Sequence, residues 1–210
     1  VQTEHEEDAF ATVALDDYSE SAVEEKREAF REEHVFGRIS REKMEALISR
    51  LTRYAKWLSF YDAYIGKAKT AQLKEWERGL GFILDVWHSE GRFGRGGDRR
   101  VTLYTTAQDV LEADATRERV RAYVTTPLSE YFGVDIELHV KRDRNRIFHA
   151  RYMRTDSLTV LFDRGFDLFT PRGEVRRCVV LLAGGTNRDV NHLDDIHQLP
   201  EANIGVRPEA

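Results

Sequence analysis

The chain has 210 residues, 41% of them hydrophobic and three of them Trp, which fits one globular domain with appendages. Its net charge of −5 is unevenly spread, because the first 33 residues carry 12 acidic and 3 basic side chains and leave the remainder at +4. There is neither a signal-peptide pattern nor an apolar run approaching the roughly 18–20 residues of a membrane-spanning helix. We therefore expect a cytoplasmic protein, with peripheral association at membranes as the alternative.

The number of cysteines and the identity of the first residue indicate the compartment of the protein and the extent of its chain. Cys178 is the single cysteine, which excludes an internal disulfide framework and fits a reducing compartment. The apolar residues that follow it predict a buried thiol in a strand rather than a nucleophile. The first residue is Val1 rather than Met, from which we expect a larger parent chain upstream.

The acidic N-terminal segment, residues 1–38, is predicted to be a linker with a short helix. Residues 1–18 show no periodicity and are acidic, as is typical of disordered segments. Residues 19–33 allow a helix with Ser21 as its cap and Glu24 at the capping-box position. A solvated linker is the favoured interpretation, and an autoinhibitory arm that masks a basic site is the alternative.

A folded domain is predicted from residue 39 to residue 183. Ser40 is a suitable N-cap for a helix whose apolar side chains recur at helical spacing. A strand is predicted at about 57–65, ended by Gly66. The clearest helix prediction covers about 70–89, where six large apolar side chains form one stripe: Leu73, Trp76, Leu80, Ile83, Leu84 and Trp87.

A glycine-rich basic loop spans residues 91–100. Arg92 and Arg95, with Phe93 as a stacking ring, are candidates to hold phosphates or single-stranded nucleic acid. The loop is not a P-loop, because no Gly-Lys-Ser/Thr follows a strand. A mobile connection between the preceding helix and the next strand is the alternative, and it is slightly favoured.

Further elements complete an α/β pattern: strands at 101–106, 135–140 and 175–183, and a helix at 117–132 that Pro127 should kink. The order of strands and helices predicts a mixed β-sheet flanked by helices, parallel at first and antiparallel at the end. Ligands gather at the carboxyl ends of parallel strands, where Asp62 and the loop after Thr106 are expected.

The remaining residues, 184–210, are predicted to be a polar tail. Its His and Asp side chains could serve as ligands of a divalent metal, but their spacing matches no known site: His192, Asp194, Asp195 and His197. No metal and no cofactor are therefore predicted.

Residues 146–169 are the stretch around which the domain is organised. The apolar-punctuated runs 147–153 and 158–162 flank a polar turn, a pattern that predicts a β-hairpin. Because side chains alternate along a strand, His149 and Arg151 are expected on one face and Arg154 on the other. Arg154, and Arg146 in the basic stretch that leads into the hairpin, are further candidates to bind the phosphate.

An imidazole beside a guanidinium, with a carboxylate at the following turn, suits a phosphate. Arg151 would hold the oxyanion through paired N–H groups. His149 would attack phosphorus or move protons, and Asp156 would fix the imidazole tautomer. The alternative is a packed, hydrogen-bonded histidine with solvated charges around the turn.

These residues belong to a longer pattern that resembles the phospholipase-D-like C-terminal domain of MIT (microtubule-interacting and transport) proteins. The matching pieces are 60–65, 148–152, 155–156, 162–169 and 177–178, within roughly residues 55–183. His149-x-Arg151-x4-Asp156 is also similar to the His-x-Lys-x4-Asp signature of the phospholipase D superfamily, with Arg in place of Lys. The resemblance implies the same mixed α/β architecture.

The resemblance also implies a phosphate site that includes Asp62, Asp163 and Arg164, together with membrane association and a homodimer. Two function hypotheses follow. The first is a non-catalytic module that binds anionic lipid headgroups, nucleic acid or a phosphorylated partner. The second is a homodimeric phosphodiesterase in which two copies of His149 meet at one phosphate and one of them forms a phosphohistidine.

Three departures from the superfamily favour binding over catalysis. Arg151 replaces the motif lysine, the Gly-Ser/Thr-x-Asn element is missing at its expected spacing, and a second His motif is absent. A module that binds no anion and only contacts a partner protein is a third, weaker hypothesis.

Overall fold

The computed structural model describes residues 34–36, 40–90, 99–107, 110–144, 147–149, 151–156, 158–182 and 187–202. All of them belong to a unit that spans 34–210. Of the predicted features, the N-terminal helix at 19–33 and residues 91–98 of the basic loop lie outside the described residues. Among the described helices, none is long and apolar enough to cross a membrane.

Seven strands lie within the described ranges: β1 His34–Phe36, β2 Trp57–Tyr61, β3 Arg100–Thr106, β4 Asp135–Lys141, β5 Tyr152–Arg154, β6 Thr159–Phe162 and β7 Cys178–Leu182. They form one sheet in the order β1-β7-β6-β5-β2-β3-β4. Strands β2, β3 and β4 are parallel neighbours, and the remaining pairs are antiparallel. The predicted α/β class, with a mixed sheet that is parallel at first and antiparallel at the end, is confirmed.

The helices are α1 Arg41–Thr52, α2 Thr70–Glu90, α3 Ala113–Val120, α4 Thr126–Phe132 and α5 Asn187–Gln198. The predicted N-cap explains where α1 begins, and the predicted apolar stripe explains which side of α2 is buried. The Ser40 side chain accepts from the Lys43 amide at 3.4 Å, and α2 buries Leu73, Leu80, Ile83, Leu84 and Trp87. A Cβ at Gly79 of α2 would lie 1.8 Å from the carbonyl oxygen of Phe166, so this glycine lets the loop after β6 approach the helix.

The helical segment before β4 begins earlier than predicted and is not uniform. A 3-10 turn, Val110–Glu112, precedes α3, and a π-helical turn, Arg121–Thr125, joins α3 to α4. Pro127 lies in the first turn of α4, where the amide proton that proline lacks is not needed for a hydrogen bond within the helix. In place of the predicted kink, the π-helical turn precedes it. Gly133 then ends α4 in the left-handed conformation, with φ 63°.

Alternation along the strands gives the sheet two different faces. On one face, Phe60, Leu103 and Ile136 enclose a small void with Leu80 and Leu84 of α2. On the other face, Tyr152, Tyr61, Tyr104 and His139 occupy one row across β5, β2, β3 and β4. Helix α5 covers part of this second face, because Leu193 and Ile196 share a buried cluster with Tyr61 and Tyr152.

Two predicted boundaries require correction. Part of the predicted polar tail at 184–210 is helix α5, whose Leu193 and Ile196 are 1% and 0% exposed. At the other end, β1 lies inside the predicted linker at 1–38 and pairs with β7, Val35 opposite Val179. The buried strand thiol is confirmed, since Cys178 in β7 is fully buried and burial raises its pKa to about 12.

Candidate functional site

The candidate site lies where β2 ends, β5 begins and β6 ends. Tyr61, Tyr152 and Leu161 stand opposite one another in the ladder, so the next residues of the three strands come together at one edge of the sheet. These residues include Asp62 and Arg151. The prediction that Asp62 lies at the carboxyl end of a parallel strand is confirmed, since it follows β2 directly.

Arg151 is the best-positioned cation at this edge. Its guanidinium lies over the ring of Tyr64, with 4.3 Å from Cζ to the ring centroid, and one Nη1–H donates to the carbonyl oxygen of Asp163. The side chain is half-buried, and its buried Nε has no hydrogen-bond partner among the described residues. Within the described part of the chain, Arg151 is therefore held by a ring face and one carbonyl, and no carboxylate forms an ion pair with it.

Asp62 supports this arrangement from below. Its fully buried carboxylate accepts from Trp76 Nε1 at 3.0 Å, the Tyr64 amide at 2.9 Å and the Phe166 amide at 3.4 Å. Burial raises the pKa of Asp62, while the bond from Trp76 and the charge of Arg151 act to lower it. As a correction to its predicted role, Asp62 does not reach solvent and serves to order Tyr64 and the loop at Phe166.

Gly165 brings the loop after β6 against this pair. It adopts φ 86°, and a Cβ there would lie 2.5 Å from Asp62 Oδ2 and 2.7 Å from Arg151 Cδ. A side chain is thus excluded both by conformation and by space. Sequence reasoning missed this residue and Tyr64, because neither has a chemical group that marks it before the chain is folded.

His149 is exposed and precedes Arg151 by two residues. The predicted strand does not form here, since Asp143 accepts the amides of Ile147 and Phe148 at 2.8 and 2.9 Å. Phe148 is buried and anchors the segment. The β-hairpin itself is confirmed, but its first strand is β5 Tyr152–Arg154 rather than 147–153.

Asp156 does not join His149 and Arg151. It follows β5 at the opposite end of the hairpin, where its Oδ1 accepts from the Lys56 amide at 3.0 Å. Asp156 lies five positions after Arg151, beyond the three residues of β5, and five fully extended residues would span about 16 Å at 3.3 Å per residue. The predicted catalytic triple is therefore not assembled within one chain, and Asp156 stabilises the turn.

Arg154 lies with a different group of residues from Arg151. It shares a face with Tyr152. Burial raises the pKa of the Tyr61 hydroxyl, and the positive charge of Arg154 opposes that rise. The predicted separation of Arg151 and Arg154 onto opposite faces is consistent with this placement. As a correction, Arg154 cannot contribute to the same phosphate site as Arg151.

Asp163 and Arg164 follow β6 at the site. Asp163 is exposed but committed to β7, because its Oδ1 accepts from the Val179 amide at 2.7 Å. Arg164 is exposed, and its Nε lies 3.7 Å from Asp167 Oδ2. Arg164 is thus a surface cation that is ion-paired with Asp167. The other predicted cations, Arg92, Arg95 and Arg146, lie outside the described residues.

A second polar cluster, on the α5 side of the sheet, was not predicted. Tyr61 and Tyr104 stack at 4.7 Å between ring centroids, and Tyr104 and His139 at 4.8 Å. The Tyr61 hydroxyl lies 2.6 Å from Nε2 of His197 in α5. The sequence shows that β2, β3 and β4 each contain one of these rings. Only the pairing of the strands shows that the three rings lie side by side. No group of three or more His, Cys, Asp or Glu in the described ranges is placed to hold a metal ion.

Comparison with known proteins adds no family to these observations. No protein-family model matches the chain, and no curated protein matches it. The chemistry of the site therefore rests on the contacts just described.

Proposed function

We propose that this chain is a phospholipase-D-like phosphate-recognising domain that binds a phosphate group without cleaving it. The ligand is the phosphate of an anionic lipid headgroup, a nucleic acid or a phosphorylated partner. The observation that carries the proposal is the Arg151 guanidinium, held on the Tyr64 ring. His149, two residues before Arg151, and Arg164, in the loop after β6, are both exposed.

Preorganisation of Arg151 supports binding. A free arginine side chain loses rotamer entropy when it grips an anion, whereas Tyr64 and the Asp163 carbonyl already restrict this one. The nearby carboxylate, Asp62, bonds to Trp76 and two backbone amides instead of to the guanidinium. The positive charge of Arg151 is thus only partly compensated at the edge of the sheet, as recognition of an oxyanion requires.

The position of Asp156 favours binding over hydrolysis. A nucleophilic histidine is activated when a carboxylate fixes its tautomer and stabilises its cation. Asp156 instead bonds to the Lys56 amide at the far end of the hairpin, and the two carboxylates at the site are engaged elsewhere, Asp62 with Trp76 and Asp163 with Val179. Within one chain, His149 lacks that activating partner among the described residues.

Direct titration tests the proposal. Phosphatidylserine vesicles, a single-stranded oligonucleotide and a phosphoserine peptide are each titrated into the protein at increasing salt. We expect one of the three to bind, with affinity that falls as salt rises, and with a loss of about 10- to 100-fold in Arg164→Ala and in His149→Ala, since hydrogen bonds to a charged group contribute about 1.5–3 kcal/mol.

Lys56→Ala is the matched control, because Lys56 is an exposed cation at the opposite end of β2. An equal loss in this variant would show a diffuse charge effect and reject a localised site. The alternative of a homodimeric phosphodiesterase is favoured by the exposure of His149. Turnover of bis-p-nitrophenyl phosphate that disappears in His149→Ala would support that alternative against the proposal.

A further inference from the structure

Helix α5 is joined to the segment that carries His149 through one buried cluster. Leu193 and Ile196 of α5 share this cluster with Phe148, which is 1% exposed and directly precedes His149. Two backbone hydrogen bonds join the chain just after α5 to the end of β4: Arg142 N donates to Pro200 O at 2.9 Å, and Ala202 N donates to Val140 O at 2.8 Å. Movement of α5 away from the sheet would therefore remove the packing of Phe148.

The polar contacts that hold α5 are made by groups that titrate. The Tyr61 hydroxyl meets His197 Nε2 at 2.6 Å. Glu201, just beyond α5, accepts from Lys141 Nζ and His139 Nδ1, each at 2.9 Å. Lys141 Nζ also lies 3.3 Å from the carbonyl oxygen of His197.

His197 faces a mostly cationic surrounding. The titratable and charged groups around it, from every element packed against it, are Tyr61 of β2, Tyr104 of β3, His139 and Lys141 of β4, Arg154 of β5, Asp194 of α5 itself and Glu201 after it. The His197 ring is partly exposed. Its partial burial lowers its pKa, Arg154, Lys141 and His139 lower it further, and among the described residues Asp194 acts in the opposite direction.

The sign of the pH effect follows from this direction. Above the ordinary histidine pKa of about 6.5, the ring is neutral whether α5 is docked or undocked, and docking does not depend on its titration. As the pH falls through that value, the undocked ring takes up a proton first. Acidification therefore favours undocking, by up to about tenfold per pH unit for one proton.

From the buried cluster that joins α5 to Phe148 and the contact between Tyr61 and His197, we propose that α5 is a clamp that positions His149 through Phe148, and that protonation of His197 releases it. His197 is a positioning residue here, since it acts through α5 and Phe148. This inference rests on the proposed function only for the role of His149 in binding. The coupling between the docking of α5 and the order of the segment at Phe148 does not depend on that function.

Residue-resolved amide hydrogen exchange tests the clamp in the full chain. The backbone amides of Arg142 and Ala202 report the docking of α5. The amides of Ile147 and Phe148, which donate hydrogen bonds to the Asp143 carboxylate, report the order of the segment that carries His149. After correction for intrinsic rates, we expect all four to lose protection severalfold between pH 7.5 and pH 5.5. The buried amide of Asp62, bonded to Tyr104 O, should not change.

His197→Gln is the variant that isolates the histidine, because an amide oxygen accepts from the Tyr61 hydroxyl at both pH values. It should keep its protection at pH 5.5, and an unchanged pH response in this variant would overturn the role of His197. Ile196→Ala should loosen both pairs of reporters at pH 7.5, and loss of protection at Ala202 alone would reject the coupling to Phe148. If the exchange results hold but none of the three phosphate probes binds, the clamp stands and the proposed function fails.

Discussion

At the scale of single residues, the candidate site depends on groups that have no reactive chemistry of their own. Tyr64 supplies the ring on which Arg151 lies, and Asp62 fixes the Tyr64 amide from a fully buried position. The sequence identified His149, Arg151 and Asp62 by their residue types. It could not identify Tyr64 or Gly165, because an aromatic ring and a glycine acquire a role only when a second segment of chain is brought against them.

Gly165→Ala should destabilise the protein more than Gly173→Ala does. Both glycines have positive φ, 86° and 84°, so both substitutions carry a conformational cost of about 1 kcal/mol. Only Gly165 is crowded, with Asp62 Oδ2 2.5 Å from the position of its missing Cβ, whereas nothing lies within 4 Å of that position at Gly173. The difference in the free energy of unfolding, measured in urea, should exceed about 1 kcal/mol, and equal losses would contradict the packing at the site.

At the scale of secondary structure, features that depend on residues within one element were predicted correctly. Features that depend on contacts between elements were not. The stripe of α2 and the cap at Ser40 depend on residues within four positions of one another, and both predictions are confirmed. The strand predicted at 147–153 was too long, because Asp143 accepts the amides of Ile147 and Phe148 in place of a neighbouring strand. Helix α5 escaped prediction since its polar residues outnumber the apolar ones that reach the core.

Leu193→Ala tests whether α5 is packed or is part of a polar tail. Leu193 is 1% exposed, and truncation of a buried leucine costs about 2–5 kcal/mol. The matched control is Asp195→Ala, an exposed position in the same helix, which should change stability by less than about 0.5 kcal/mol. Both are measured by chemical denaturation of the full chain, and similar small effects would mean that α5 contributes nothing to the core.

At the scale of the whole molecule, the resemblance to phospholipase-D-like domains predicts a homodimer, and this stays a prediction. Light scattering coupled to size exclusion should give twice the mass of one chain at micromolar concentration. A monomer at all concentrations would remove the phosphodiesterase alternative, because one chain supplies one His-x-Arg motif. The binding proposal does not depend on the result, since Arg151, His149 and Arg164 come from a single chain.

The amino-acid sequence by itself determined the class of the fold, the parallel and antiparallel halves of the sheet, and the position of Asp62 at a strand end, because hydrophobic period and element order are local properties. Only the tertiary structure decided which of the predicted residues meet. The short extent of β5 leaves Asp156 at the turn, away from Arg151, and the pairing of β5 with β2 places Arg154 near Tyr61. The docking of α5 arises from contacts between residues more than a hundred positions apart, such as Tyr61 and His197, and β2 pairs with a strand that lies far from it in the chain. No local pattern encodes either contact.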